Sequence, residues 1–267
     1  MRLADSELLA LNGLGFIPGP EEGEEAFLRR VHLIKAAGVG GIPRAHWDWV
    51  RAHLKELFDF EPHSLPAFYS NAGLVPWQGA ATWIEEGQPP RVQLREGFRK
   101  GSYFGYSRSE ILAHEAVHAA RSAFEEPMAE EFFAYMASEK SWRRVFGPIV
   151  KRPWEVWFFF LLAVLGIAFP LAQAAASFWL GCGAWRLFRL HRTIGLAAKR
   201  LKNVSGDRKK IRALLLRLTD REIRLFADGE NPGSYARSQE CLRWRLIRLA
   251  YFDKMGAEVN HGSKDRR

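Results

Sequence analysis

Two cysteines in 267 residues are too few for a disulfide framework, and they lie in unlike surroundings. Cys182 falls in an apolar run and Cys241 in a basic helical stretch, so neither a structural disulfide nor an oxidising compartment is expected. An apolar leader core is also missing. Asp5 and Glu7 stand where an export signal needs uncharged residues, and the opening segment does not read as a cleaved signal. There is no internal repeat and no low-complexity tract, which excludes solenoids and biased linkers. Nor is there a nucleic-acid recognition motif, despite a formal charge of +9.

What is present is unevenly distributed. Residues 1–150 carry 16 Lys/Arg against 20 Asp/Glu, whereas residues 151–267 carry 23 against 10. Between Glu155 and Arg186 run 30 residues without a charge. A basic half beside an apolar run points to the anionic face of a membrane ahead of nucleic acid. One straight helix through that run would be about 45 Å long against a hydrocarbon core of about 30 Å. Pro170 divides it into Val156–Phe169 and Leu171–Trp185, each about 21–23 Å as a helix. This predicts a hairpin dipping into or thinly across a bilayer. A single tilted span and a buried helical pair are the alternatives. Lys151 and Arg152 precede the run and Arg186, Arg189 and Arg192 follow it, so both ends are expected on the cytoplasmic side. Trp154, Trp157 and Trp185 would share that interface.

Upstream, hydrophobic spacing predicts helices over Glu24–Ala37 and from Pro43 to Phe60. Ala67–Tyr69, Ala80–Ile84 and Arg91–Leu94 are short, aromatic or β-branched, and separated by Gly and Pro. They read as strands, with Gly101–Tyr106 a last one. Ser107-Arg108-Ser109-Glu110 has the form of a capping box opening a helix that reaches about Phe124. Pro127 opens another, to about Lys140. Residues 189–202, 207–226 and 234–254 read as amphipathic helices, the middle one divisible at Thr219-Asp220-Arg221-Glu222. The basic segments 208–218 and 241–249 suit either an anionic lipid surface or a helical bundle with a solvated basic face.

His114-Glu115-Ala116-Val117-His118 is the motif that carries chemistry. Residues four apart share one helix face, so both imidazoles can address one cation at the ~2.0–2.1 Å of a Zn–N bond. Glu115 beside the first ligand suits a carboxylate that holds the attacking water, removes its proton and passes it to the leaving amine. The bland alternative is a helix whose histidines cap or pair with nearby acids. Context favours the metal: a capped helix, strands before it, and a carboxylate-rich helix after it. Ala113, Ala116, Ala119 and Ala120 allow close packing around the site.

Ser109–Ser138 resembles the catalytic core of HExxH metallopeptidases of the gluzincin type, particularly their minimal forms. The resemblance implies a strand before the motif helix and a Glu from the next helix as third zinc ligand. The metzincin pattern is absent, because Arg121 and Phe124 stand where it needs Gly and His. The third ligand is then one of Glu125, Glu126, Glu130 and Glu131. An antiparallel ligand helix needs a few residues of turn, which places Glu130 and Glu131 better. Glu131-Phe132-Phe133-Ala134 fits the family's Glu, two residues, then a small residue, making Glu131 the first choice and Glu130 the second. Carboxylates in a first helical turn also have a plain reading, attraction to the positive dipole end. Tyr103, Tyr106 and Tyr135 are candidate donors to a developing oxyanion, none singled out. Gly101–Tyr106, as an exposed edge, could pair with an extended peptide.

The expectation is thus an α+β chain. It comprises a zincin-like domain over residues 1–150, a membrane hairpin over 151–188 and a basic helical domain over 189–267. His114, His118 and Glu131 would hold Zn2+, with Glu115 as general base. The partners would be a peptide or protein substrate and anionic lipid, and both flanking domains would face the cytoplasm. A membrane-associated scaffold with a non-catalytic metal site and a non-peptidase zinc hydrolase are the rival readings.

Overall fold

The computed structural model describes residues 3–252 apart from 39, 64, 86, 125 and 150–152, so Lys151 and Arg152 lie outside the described residues. The chain is α+β, with helices predominating. Helices α1 (Asp5–Gly13), α2 (Glu24–Ala36) and α3 (Asp48–Phe58) come first, α3 being preceded by a 3-10 turn at Arg44–Trp47. The expected helix from Pro43 is therefore shorter, and it ends where Asp59 turns left-handed at φ 59°.

Strands β1 (Ala67–Tyr69), β2 (Ala80–Trp83) and β3 (Arg91–Leu94) form a sheet in the order β1-β3-β2. β1 runs parallel to β3, and β2 runs antiparallel to it with Ala80 opposite Leu94 and Thr82 opposite Val92. The expected last strand does not join this sheet. It folds on itself as β4 (Ser102–Tyr103) and β5 (Tyr106–Ser107), joined through Phe104 and Gly105. Both turn residues have positive φ, the two-residue geometry whose twist suits a hairpin. The free edge beside the motif helix is consequently β2.

Next come α4 (Arg108–Ala120), α5 (Pro127–Met136) and α6 (Ser141–Phe146). Helices α7 (Pro153–Leu165) and α8 (Pro170–Leu201) then form an antiparallel hairpin. α8 continues unbroken to Leu201, so the helix expected over 189–202 is the second arm of the hairpin prolonged. No helix among the described residues is long and apolar enough to cross a membrane. α7 has 13 residues, about 20 Å, and Gln173, Ser177 and Arg186 dilute α8. The surface of the hairpin is nonetheless apolar. Ile167 and Leu171 at its tip are 87% and 86% exposed, and Phe160, Leu161, Val164, Phe169, Phe178 and Trp185 are exposed along it.

The expected helix over 207–226 is two, α9 (Arg208–Leu216) and α10 (Asp220–Asp228), parted by a full Thr219–Glu222 capping box. The expected helix over 234–254 is also two, α11 (Pro232–Ser238) and α12 (Leu242–Tyr251). The apolar faces of α9 and α12 point inward: Ile211, Leu214, Leu215, Trp244 and Ile247 join one buried cluster with Leu8, Phe27, Leu54 and Val117. The basic region therefore packs as a bundle against the first half of the chain.

Several of its arginines are buried. Arg217 donates to Asn12 Oδ1 at 2.7 Å and to the Phe58 carbonyl at 3.1 Å. Arg243 donates to both Glu222 oxygens at 2.8 Å, and Trp244 Nε1 adds a third bond at 2.6 Å. Burial alone would raise the Glu222 carboxyl. Arg243, the Thr219 amide and Trp244 outweigh it and hold the group below its ordinary 4.5. Its stabilising effect is complete above the unfolded carboxylate pKa of ~4.5 and drains away as pH falls through the lower folded value. Urea titration of Glu222→Gln at pH 7 should show a loss of about 3–5 kcal/mol. The gap to wild type should narrow as the solution is acidified, and a gap independent of pH would contradict this account.

Candidate metal centre

α4 is started by Ser107, whose side chain accepts from the Glu110 amide at 3.0 Å. The reciprocal half of the expected capping box is absent. The Glu110 carboxylate is buried and pairs with Arg143 Nη1 at 2.6 Å. Arg143 also donates to the Gly105 carbonyl at 2.8 Å and lies over the Tyr106 ring, tying α6, the β4–β5 hairpin and α4 together. Leu112, Ala113, Ala116, Val117 and Ala120 fill the core side of α4, which leaves His114 and His118 toward a cavity.

The two imidazoles converge, with His114 Nε2 and His118 Nε2 3.3 Å apart. The Glu131 carboxylate stands 3.7 Å from each of these nitrogens. The nearer oxygen is Oε2 for His114 and Oε1 for His118. Ligands at ~2.0–2.1 Å in a tetrahedron are separated by about 3.3–3.4 Å, so the imidazole pair has that spacing and the carboxylate stands a little outside it. Its three atoms lie within 4.8 Å of one another and could hold a cation.

The other candidate carboxylates are placed elsewhere. Glu130 accepts from His118 Nδ1 at 2.7 Å, which orients the ring with Nε2 toward His114 and Glu131. Glu126 accepts from the Asp220 backbone amide at 2.8 Å. Glu125 lies outside the described residues. Ala134 is fully buried, and its carbonyl hydrogen-bonds His114.

Glu115 is buried and holds a hydrogen bond from Thr82 Oγ1 of β2 at 2.7 Å. Burial raises its carboxyl, partly offset by His118 and Thr82. Burial, then the nearby His118, keeps His114 well below 6.5. For His118 burial acts downward too, but Glu130, Glu115 and Glu131 outweigh it and raise the ring to about 9. Three carboxylates around two imidazoles make a pocket that favours positive charge.

The cavity has a volume of about 540 Å³. Tyr103, Tyr106 and Tyr135 all contribute to its wall, and Tyr135 packs edge-on to His114 at 4.8 Å. β2 forms its rim. The Arg95 amide bonds to the Gly79 carbonyl, so the alternation of the ladder turns the backbone groups of Ala80 and Thr82 away from β3, toward the open edge. Val156 of α7 completes the wall.

Two residues that build the site went unnoticed in the sequence. Thr82 sits in an ordinary strand, and nothing local marks it as a partner of Glu115. Asp220 accepts from the Met128 and Ala129 amides at 2.7 and 3.1 Å, capping the N-terminus of α5 from 92 and 91 residues away. Its place in a capping box was visible, but not that its own carboxylate serves another helix. In comparisons with known proteins, the chain matches no family model, no curated protein and no solved structure.

Because Asp220 anchors the helix that carries Glu130 and Glu131, Asp220→Ala should weaken metal binding by about 10–100-fold, the range seen for partners of ligands. Titration of the metal-free protein with Co2+ or Zn2+ reads this directly. Unchanged affinity in a folded variant would show that core packing alone sets α5.

Proposed function

We propose that this chain is a zinc-dependent metallopeptidase held at a membrane by the α7–α8 hairpin. The observation that carries the reading is the triangle of His114, His118 and Glu131 with a buried carboxylate, Glu115, beside it beneath an open strand edge. Zinc held there would supply Lewis acidity and an activated water at neutral pH. Glu115 removes the water proton and later delivers it to the leaving amine. Its raised pKa brings it nearer the working range of a general base, and Thr82 keeps it oriented. Tyr135 stays protonated, held there by burial and then by Glu131, and is available as a neutral donor to a developing oxyanion.

Two features favour a peptide over other hydrolysable substrates. The outward backbone groups of Ala80 and Thr82 offer pairing to an extended chain, and the cavity beneath accepts side chains. A site that only bound metal for structure would leave Glu115 without a role.

The membrane reading is supported by the exposed apolar length of the hairpin and by the exposed Arg186, Arg189 and Arg192 at its base. Arms of this length enter one leaflet without crossing. The basic base suits anionic lipid on the cytoplasmic side. Trp157 and Trp185 are exposed toward the base of the two arms, where indoles are favoured at an interface.

The test is digestion of a mixed peptide library by the detergent-purified, zinc-loaded protein, read by mass spectrometry. Wild type should cleave, and Glu115→Gln should fall by about 10²–10⁴ while retaining zinc. His118→Ala should lose both metal and activity. Zinc bound by wild type with no cleavage of any peptide would leave the non-peptidase or scaffold reading in its place.

A further inference from the structure

The hairpin and the cleft are one structure. Val156, in the first turn of α7, forms part of the cavity wall. Its neighbour Trp157 packs edge-on against Trp77 with ring centroids 4.4 Å apart, and Trp77 lines the same cavity. The two arms are clamped at this level. Arg186 of α8 pairs with buried Glu155 at 3.2 Å and donates to the Ile149 carbonyl at 3.1 Å.

From Val156 to the tip at Ile167 the arm rises about 16 Å, and half of a hydrocarbon core is about 15 Å. A hairpin seated to the midplane therefore puts the cleft at the boundary between acyl chains and headgroups. The far rim of the cleft is apolar as well: Ile84 is 50% and Phe104 73% exposed, and both line the cavity. Phe104 is presented by a turn in which it takes φ 48°, a conformation unusual for a bulky residue. Arg186 lies exposed at the clamped root, about 22 Å along α8 from the tip and so near the level of lipid phosphates, with exposed Arg189 and Arg192 further out on the same helix.

From this continuity we infer that the substrate is an extended, apolar segment of a protein anchored in the same bilayer, presented to the cleft at the lipid surface. The inference rests on the peptidase reading above. Lipid contact on the hairpin and on the rim at Phe104 and Ile84 leaves the mouth facing the membrane, and β2 pairs with a chain emerging from it.

The experiment uses the full zinc-loaded chain bound to vesicles of phosphatidylcholine and phosphatidylglycerol. One fluorogenic peptide, chosen from the library digestion, is supplied free or palmitoylated in the same vesicles. The anchored form should be cleaved about 10²-fold faster at equal total concentration, as expected when a second attachment raises effective concentration. The preference should persist when only a few residues separate lipid from scissile bond, a distance that a site held off the surface cannot reach. Ile167→Glu combined with Leu171→Glu, both at the exposed tip, should abolish vesicle binding and the preference while free-peptide turnover is unchanged. Equal rates for the two peptides, or a preference that needs a long tether, would overturn the inference and leave the peptidase reading intact. Failure of wild type to cleave any peptide of the library would overturn that reading and this inference with it.

Discussion

Two helix N-termini that satisfy one another hold this molecule together. α5 begins at Pro127, and its next two amides, Met128 and Ala129, have no partner within the helix. The Asp220 carboxylate accepts both, while the Asp220 amide, at the start of α10, donates to Glu126 beside Pro127. The exchange ties the helix bearing Glu130 and Glu131 to a second helix far away in sequence. α10 is in turn held by Glu222, whose carboxylate binds Arg243, Trp244 and the Thr219 amide. Through this series of charged hydrogen bonds the basic region sets the position of Glu131. The short link between α4 and α5 is secured from the same side, since buried Arg121 donates to the Leu216 and Leu218 carbonyls at the C-terminal end of α9.

The parts of the fold that were legible in the sequence are those set by neighbours along the chain. The three strands of the main sheet, the Ser107 and Thr219 caps and the start of α5 at Pro127 follow from local spacing and turn chemistry. The His114–His118 pair follows from helix geometry alone. What was not legible depends on contacts across long separations. Glu131 and Glu130 are adjacent, and only packing on α4 decides that one faces both Nε2 atoms and the other His118 Nδ1. Thr82 meets Glu115 across 33 residues. The strand expected at Gly101–Tyr106 became a hairpin because left-handed Phe104 and Gly105 turn the chain back on itself. The positive charge of the C-terminal half misled in a different way. Arg217 and Arg243 are nearly or fully buried, and their guanidiniums bind backbone carbonyls and Glu222 where composition suggests a lipid- or solvent-facing surface.

The candidate site sets burial against charge at two of its groups, His114 and Glu115. Glu115, Glu130 and Glu131 surround two imidazoles in a largely buried space, and Glu115 is displaced toward its neutral form by burial. Such opposition between folding and charge placement is expected where a site is shaped for a ligand. A divalent ion among the three facing ligand atoms would relieve it, and Glu130 and Thr82 hold the surrounding groups in orientation. Nearby, the same chain exposes a long apolar hairpin whose root forms one wall of the cleft. On the proposed reading, the chemistry and the attachment to lipid would be served by adjoining side chains of one region.

The central claim is that His114, His118 and Glu131, and not Glu130, bind zinc. X-ray absorption at the zinc edge on the loaded protein tests it most directly, comparing wild type with Glu131→Gln and Glu130→Gln. The account predicts one zinc per chain with two imidazole nitrogens and a carboxylate oxygen at about 2.0–2.1 Å. The carboxylate should be lost only in Glu131→Gln, while Glu130→Gln weakens binding and keeps the same ligands. A wild-type protein that takes up no zinc, or one whose carboxylate ligand vanishes in Glu130→Gln and survives in Glu131→Gln, would contradict it.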